Sequence, residues 1–164
     1  MSEIVIEDNF LLEKDFKPLQ AAIMSAYFPW FFSDYVVFNE EDHLKDNFQF
    51  THTFIANNQK SNQYQLLNSL LEKINPKNLL RVKANLGTRN VEHVEYDYHT
   101  DFDEPGVTTG IFYINTNNGY TRFVNGKKVD SIANRYVTFD GLELHSSVSQ
   151  TNTKSRVVLN FNYK

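Results

Sequence analysis

At 164 residues the chain is long enough for one domain with a sizeable core and too short for two comfortable ones. Hydrophobic residues at 41% and aromatics at 15% exclude a disordered chain, and a formal net charge of -4 argues against a basic surface built to coat nucleic acid. With no cysteine, disulfides, thiolate metal sites and cysteine nucleophiles are ruled out.

The opening MSEIVIEDNF lacks the basic-then-apolar order of a signal peptide, and no apolar run approaches the roughly 18 residues of a membrane span. A soluble cytoplasmic protein without a membrane partner is expected. Ile4, Val5 and Ile6 read as a short strand ended by Asp8 and Asn9. Leu19, Ala22, Ile23, Ala26 and Tyr27 recur at helical spacing and predict a helix over 15–28, stopped or bent by Pro29. The aromatic knot Trp30-Phe31-Phe32 is expected to pack that helix against the main body, with a lip over a pocket as the alternative. Residues 34–38 and 48–56 read as short strands around an acidic turn at 39–42. Ser61 is a candidate cap for a second helix carrying Leu67, Leu70, Leu71 and Ile74, closed by Asn75-Pro76.

From Leu79 onward the period becomes that of strands: 79–86, 91–95, 110–115, 120–124, 127–131, 136–139 and 156–163. Asn117-Asn118-Gly119 and Asn125-Gly126 are hairpin signals between them. Helices followed by many short antiparallel strands predict an α+β fold, a distorted jelly roll or closed sandwich with N-terminal supporting helices. The chain reads as a single domain over 1–164, with 1–78 as support and 79–163 supplying most of the jelly-roll core.

His99 and Asp101 stand two apart, so on an extended segment an imidazole and a carboxylate approach one ion from the same face. His145, just after the Gly141 turn, would join them from another strand. Two imidazoles and one carboxylate form the ligand set of a facial Fe(II) site with positions open to a co-substrate and O2. Zinc accepts the same set, so a zinc or manganese enzyme is an alternative, and hydrogen-bonded histidines without a metal are the plainer one. Asp97 and Asp103 share the alternation parity of His99 and Asp101, and spacing does not choose among the three carboxylates. Arg156 opens an alternating strand on which Val158, Asn160 and Asn162 share its face. Polar residues there suit a wet pocket, and an arginine fork matches the carboxylate of a dicarboxylic co-substrate. Thr100, Ser146 and Ser147 are candidates to orient the imidazoles, and the turns at 40–42 and 103–106 are candidates to border an entrance.

Several runs together resemble the Fe(II)- and 2-oxoglutarate-dependent dioxygenase superfamily, near its prolyl-4-hydroxylase-like branch in tailed bacteriophages. They are Leu80-Arg81-Val82-Lys83-Ala84-Asn85-Leu86, Tyr98-His99-Thr100-Asp101-Phe102-Asp103, Ile111-Phe112-Tyr113-Ile114-Asn115, Asn117-Asn118-Gly119-Tyr120-Thr121-Arg122-Phe123, Asn134-Arg135-Tyr136-Val137-Thr138-Phe139-Asp140-Gly141, His145-Ser146 and the strand from Arg156. The match covers 79–163, and Phe28-Pro29-Trp30-Phe31 extends it. The resemblance implies a double-stranded β-helix, His99, Asp101 and His145 as iron ligands, and Arg156 as partner of the distal 2-oxoglutarate carboxylate. Related prolyl hydroxylases often place a co-substrate tyrosine in the strand after H-x-D. Phe112 is the closest-looking match here and lacks a hydroxyl, while Tyr113 points to the opposite face of a regular strand, so Asn85, Lys83 or Tyr96 would supply that contact. The implied reaction uses Fe(II), 2-oxoglutarate and O2, yields succinate, and hydroxylates an unactivated C–H bond, with a prolyl or other peptidyl side chain as the leading substrate. A free amino acid, small metabolite or modified nucleotide is the alternative substrate, and a non-catalytic jelly-roll binding or virion-associated structural protein is the alternative function.

Overall fold

The structure, a computed structural model, describes residues 3–38 and 47–164. The acidic turn at 39–42 lies outside the described residues. In chain order the elements are β1 (Val5–Glu7), α1 (Glu13–Ile23), β2 (Phe31–Ser33), β3 (Gln49–Ala56) and β4 (Gln59–Lys60). A 3-10 turn (Tyr64–Leu67) then runs into α2 (Asn68–Ile74). The strands β5 (Leu79–Thr88), β6 (Thr108–Tyr113), β7 (Tyr120–Phe123), β8 (Lys128–Asp130), β9 (Arg135–Asp140), β10 (His145–Val148) and β11 (Ser155–Tyr163) follow.

The large antiparallel sheet has the order β1-β9-β6-β11-β5-β3-β2, with β4 beside β3, and the small one has the order β10-β7-β8. Together they make the expected jelly roll, with the helices on one side. Strand alternation divides the interior in two. Phe112, Leu159, Phe161, Val82 and Ala84 point out of the large sheet into a core shared with Phe16, Leu19 and Ile23 of α1 and with Leu67 and Leu70. Each large side chain buried there contributes about 1.5–3 kcal/mol, which is what holds the helices to the sheet. The opposite face turns Ile111, Tyr113, Val137 and Val158 toward Phe123 and Val129 of the small sheet. Continuing along β11, that inward face also carries Arg156, Asn160 and Asn162.

Several elements differ from the sequence expectation. The first helix ends at Ile23 because the Ser25 hydroxyl donates to the Ala22 carbonyl and the chain turns, leaving Tyr27 exposed. Of the aromatic knot only Trp30 packs on the core; Phe31 and Phe32 lie on the edge strand β2 and are 61% and 65% exposed. Residues 34–38 form a loop, not a strand, tied down by the Asn47 side chain, which accepts from the Val36 N–H at 2.8 Å and donates to the Val37 carbonyl at 3.1 Å. Residues 91–95 form no strand of their own. Instead the irregular run 94–99 lies antiparallel along β10, through bridges at Glu95/Val148 and His99/His145.

Asn125-Gly126 makes the β7–β8 hairpin, whereas Asn117-Asn118-Gly119 carries the chain from the large sheet to the small one. A Cβ at Gly119 would fall 2.8 Å from Arg156 Cδ and from the Val148 carbonyl oxygen, so glycine lets this crossing lie against the arginine stem. A Cβ at Gly110 would collide with the buried Tyr136 ring. Gly110→Ala is therefore expected to cost about 1–3 kcal/mol of stability. A thermal melt with an unchanged midpoint would contradict that packing.

Candidate metal centre

The pairing of run 94–99 with β10 sets two imidazoles side by side. His99 and His145 exchange backbone hydrogen bonds at 3.0 and 3.1 Å, and their ring centroids are 4.6 Å apart. Asp101 turns back toward both, with Oδ2 at 3.7 Å from His145 Nε2 and Oδ1 at 4.0 Å from His99 Nε2. The three potential ligand atoms lie within 4.8 Å of one another. Asp97 and Asp103 are not part of this group; Asp103 accepts a hydrogen bond from Thr100.

Backbone carbonyls orient the rings. His145 Nδ1 faces the Glu143 oxygen at 3.0 Å and His99 Nδ1 faces the Asp97 oxygen at 3.4 Å. A carbonyl only accepts, so each Nδ1 carries the hydrogen and each Nε2 turns its lone pair toward the common centre. Thr100, Ser146 and Ser147, expected from chain proximity to orient the rings, are engaged elsewhere: with Asp103, the Tyr96 carbonyl and Arg156 respectively.

Asp101 is held by three distant side chains. Asn160 and Asn162 donate to Oδ2 at 3.0 and 3.4 Å, and Arg81 approaches Oδ1 at 3.4 Å while its Nε donates to Asn162 Oδ1 at 2.9 Å. Burial pushes the Asp101 pKa up, but His145, Asn160, Arg81 and His99 together outweigh it and keep the carboxyl below its usual range. Burial and the neighbouring His145 ring push the His99 pKa down, against the pull of Asp101. Both shifts favour the metal-binding forms of these two groups, the ionised Asp101 carboxylate and the neutral His99 ring.

The sign of the His99 shift gives a pH prediction. Protons begin to compete for this ring below, not at, the usual value of about 6.5, so metal affinity is expected to change less than about threefold between pH 7.5 and 6.5. Anaerobic Fe(II) titrations at the two values check this; a loss of about tenfold would mean a ring raised well above its usual value instead of lowered.

At the other end of β11's inward face stands Arg156. Its guanidinium donates to the hydroxyls of Ser131 at 2.9 Å, Ser147 at 3.0 Å and Thr121 at 3.3 Å, and lies 5.7 Å from the Tyr113 ring centroid. It is only 7% exposed, and no carboxylate among the described residues pairs with it. Burial lowers its pKa, and the Tyr113 and Tyr96 phenols partly offset that. A buried cation held by neutral hydroxyls keeps its charge uncompensated among the described residues, which suits it to receive an anion.

A cavity of about 110 Å³ joins Arg156 to the His99-Asp101-His145 cluster, and Lys83, Asn85 and Tyr96 all line it. Asn160 and Arg156 are four residues apart on one strand, so their Cα atoms stand about 13 Å apart. Phe112 packs outward against Phe10 and Phe16. Tyr113 is the residue turned inward, its hydroxyl 2.7 Å from the Thr121 hydroxyl that also meets Arg156. The tyrosine hydroxyl therefore stands behind the arginine. The turn at 103–106 does not line the cavity, and Glu104 there pairs with Lys164 at 3.0 Å. Arg81, Ser131, Thr121 and Gln150 are functional-site residues that sequence reasoning missed, since only the folded register brings them to the cavity or to Arg156.

No family model and no curated protein sequence matches the chain. Solved structures do. A prolyl hydroxylase of Trichoplax adhaerens, in complex with a hypoxia-inducible-factor peptide fragment, is similar over 98% of this chain and 83% of its own, with TM-score 0.65 and 12% identity. A Pseudomonas putida prolyl-4-hydroxylase is similar over 98% and 92%, with TM-score 0.57 and 14% identity. The epimerase SnoN, solved with Fe3+, alpha ketoglutarate and nogalamycin RO, is similar over 98% and 78%, with TM-score 0.64 and 12% identity. At these identities the likeness establishes the fold alone, a double-stranded β-helix shared with these proteins.

Proposed function

We propose that this protein is an Fe(II)- and 2-oxoglutarate-dependent oxygenase that hydroxylates an unactivated C–H bond. The observation that carries the reading is the buried Arg156, without a carboxylate partner among the described residues, sharing one small cavity with the His99-Asp101-His145 cluster. The residues fit the implied metal: two imidazoles and one carboxylate leave coordination positions free, as a facial Fe(II) site requires. Fe(II) bound there, with 2-oxoglutarate and O2, supplies the oxidative decarboxylation to succinate and the oxygen atom for the product.

The chain's own residues bind and orient. Arg156, fixed by three hydroxyls, takes the distal carboxylate of 2-oxoglutarate, and Tyr96 and Asn85 line its path toward the metal. Ile111 and Val158 give that path apolar walls that limit water. Arg81, Asn160 and Asn162 hold Asp101 in one orientation. A zinc or manganese enzyme without 2-oxoglutarate, or an inert jelly roll, would leave the buried cation without a role. The motif resemblance supports the phage prolyl-4-hydroxylase-like branch, a host-cytoplasmic setting and a peptidyl substrate. SnoN, solved with nogalamycin RO, shows that the shared fold alone does not choose a substrate class.

Aerobic incubation with Fe(II), ascorbate and carbon-13-labelled 2-oxoglutarate tests the reading by NMR. Slow succinate formation that needs both iron and oxygen is expected, even without added substrate. A reconstituted protein that yields no succinate above the iron-only background would contradict it.

A further inference from the structure

Lys83 lines the cavity on β5, directly across from Asn160 of β11 and therefore beside the metal cluster rather than at the Arg156 end. Its ammonium has no hydrogen bond or ion pair with any described residue. Burial lowers its pKa, the Arg81 guanidinium adds to that, and Asp101 opposes it. Among the described residues the cavity is lined by three cations, Arg81, Lys83 and Arg156, and by one carboxylate, Asp101. Arg81 is engaged with Asp101. A divalent metal and a doubly charged co-substrate cancel one another, so among the described residues the positive excess around Lys83 persists after both have bound.

A second observation concerns the same cavity, and two of its three groups stand beside Lys83. The buried side-chain oxygens without a hydrogen-bond partner among the described residues are Asn85 Oδ1, Gln150 Oε1 and Asn160 Oδ1, and all three line this cavity. Asn85 and Asn160 flank Lys83, one two residues along β5 and the other its cross-strand partner. The Gln150 amide is fixed by its Nε2 donating to the Gly87 carbonyl at 3.0 Å, and Gly87 is the cross-strand partner of Arg156. Buried acceptors call for donors, and 2-oxoglutarate as a dianion has none. The missing ligand thus brings an anionic group together with N–H or O–H donors. A prolyl residue within a neutral peptide brings no anionic group, and its donors come only from the backbone N–H groups of its neighbours.

We propose that the primary substrate is a small free α-amino or α-hydroxy acid, with Lys83 receiving its carboxylate and the Asn85 and Asn160 side-chain oxygens accepting from its amino or hydroxyl group. The proposal rests on the oxygenase reading only in assigning Arg156 to 2-oxoglutarate.

Thermal melts test it on the full chain, both metal-free and as the anaerobic Fe(II)/2-oxoglutarate complex. The probes are the free L-amino acids and the matching α-hydroxy acids, each beside its methyl ester, and a proline-rich peptide with blocked termini. At least one free acid is expected to raise the midpoint by about 4 °C or more at millimolar concentration, and its ester by less than about 1 °C. Lys83→Met should abolish the acid-induced shift and Lys83→Arg should keep part of it, while 2-oxoglutarate binding by Lys83→Met stays within about threefold of wild type. The proposal is overturned if no free acid shifts the midpoint, if only the blocked peptide does, or if the acid shift survives Lys83→Met. A loss of 2-oxoglutarate affinity of about tenfold or more in Lys83→Met would also overturn it, since Lys83 would then belong to the co-substrate. Absence of any 2-oxoglutarate response in wild type would instead refute the oxygenase reading, with the metal-free acid arm still deciding this one.

Discussion

Asp101→Ala is expected to lower Fe(II) affinity by at least about two orders of magnitude and to abolish succinate formation. The carboxylate is the only anion in the cluster, so its loss removes the charge that balances the metal, a change on the order of 3–5 kcal/mol for a buried ionic partner. The same substitution frees Arg81 and the amides of Asn160 and Asn162, which now converge on Asp101 Oδ1 and Oδ2. A stability loss of about 1–3 kcal/mol should accompany the metal loss for that reason. Metal titrations are therefore read well below the thermal midpoint. Asp101→Asn separates the two effects: it keeps the shape and most of the hydrogen bonding, yet supplies no charge, and should bind iron almost as poorly as alanine. Iron affinity within about tenfold of wild type in both variants would place the metal elsewhere.

Arg156→Met makes the second large change, and its two readouts move in opposite directions. Loss of the guanidinium removes the charged partner of the co-substrate and should raise half-saturating 2-oxoglutarate by roughly 30-fold or more, corresponding to about 2–5 kcal/mol for a buried charge pair. Iron affinity should stay near wild type, because Arg156 contacts none of the metal-facing side chains. Stability should hold or rise. A buried cation without a carboxylate partner is costly in the free protein, and an apolar side chain of similar length fills the same space without that desolvation. A residue kept for packing alone would show the reverse, a lowered melting midpoint and unchanged co-substrate binding. Arg156→Lys should recover part of the affinity, as a point charge without the planar fork.

Where a strand alternates cleanly, its role was legible in the sequence. In β11, Val157, Leu159 and Phe161 enter the helix-side core while Arg156, Asn160 and Asn162 line the site, as the two-residue period requires. The grouping of His99, Asp101 and His145 followed from residue type together with the family resemblance. The choice of Asp101 over Asp97 and Asp103 did not follow from spacing, because parity presumes a regular strand and the chain leaves β pairing after His99. What selects Asp101 is the trio Arg81, Asn160 and Asn162, brought together by β5–β11 register that no local pattern encodes.

The misread elements have local causes. Ala26 and Tyr27 continue the helical period of α1, yet the Ser25 hydroxyl takes the Ala22 carbonyl and the helix stops. β10 is short and reads Ser146-Ser147 at its centre, so it carries no hydrophobic alternation; its hydroxyls serve the Tyr96 carbonyl and Arg156 instead. Phe112 resembled the position of a co-substrate tyrosine, but the β6–β11 register turns it toward α1 and turns Tyr113 inward. In each case a hydrogen bond or a cross-strand neighbour overrode the periodic signal.

Anaerobic addition of Fe(II), and then of 2-oxoglutarate, puts the convergence of these residues on one iron to the test by visible absorption. A weak charge-transfer band should appear as 2-oxoglutarate is added, saturate near one equivalent, vanish in Asp101→Ala, and require far more co-substrate in Arg156→Met. Stoichiometric iron binding with no band at any 2-oxoglutarate concentration would contradict a shared site for the metal and the dicarboxylate.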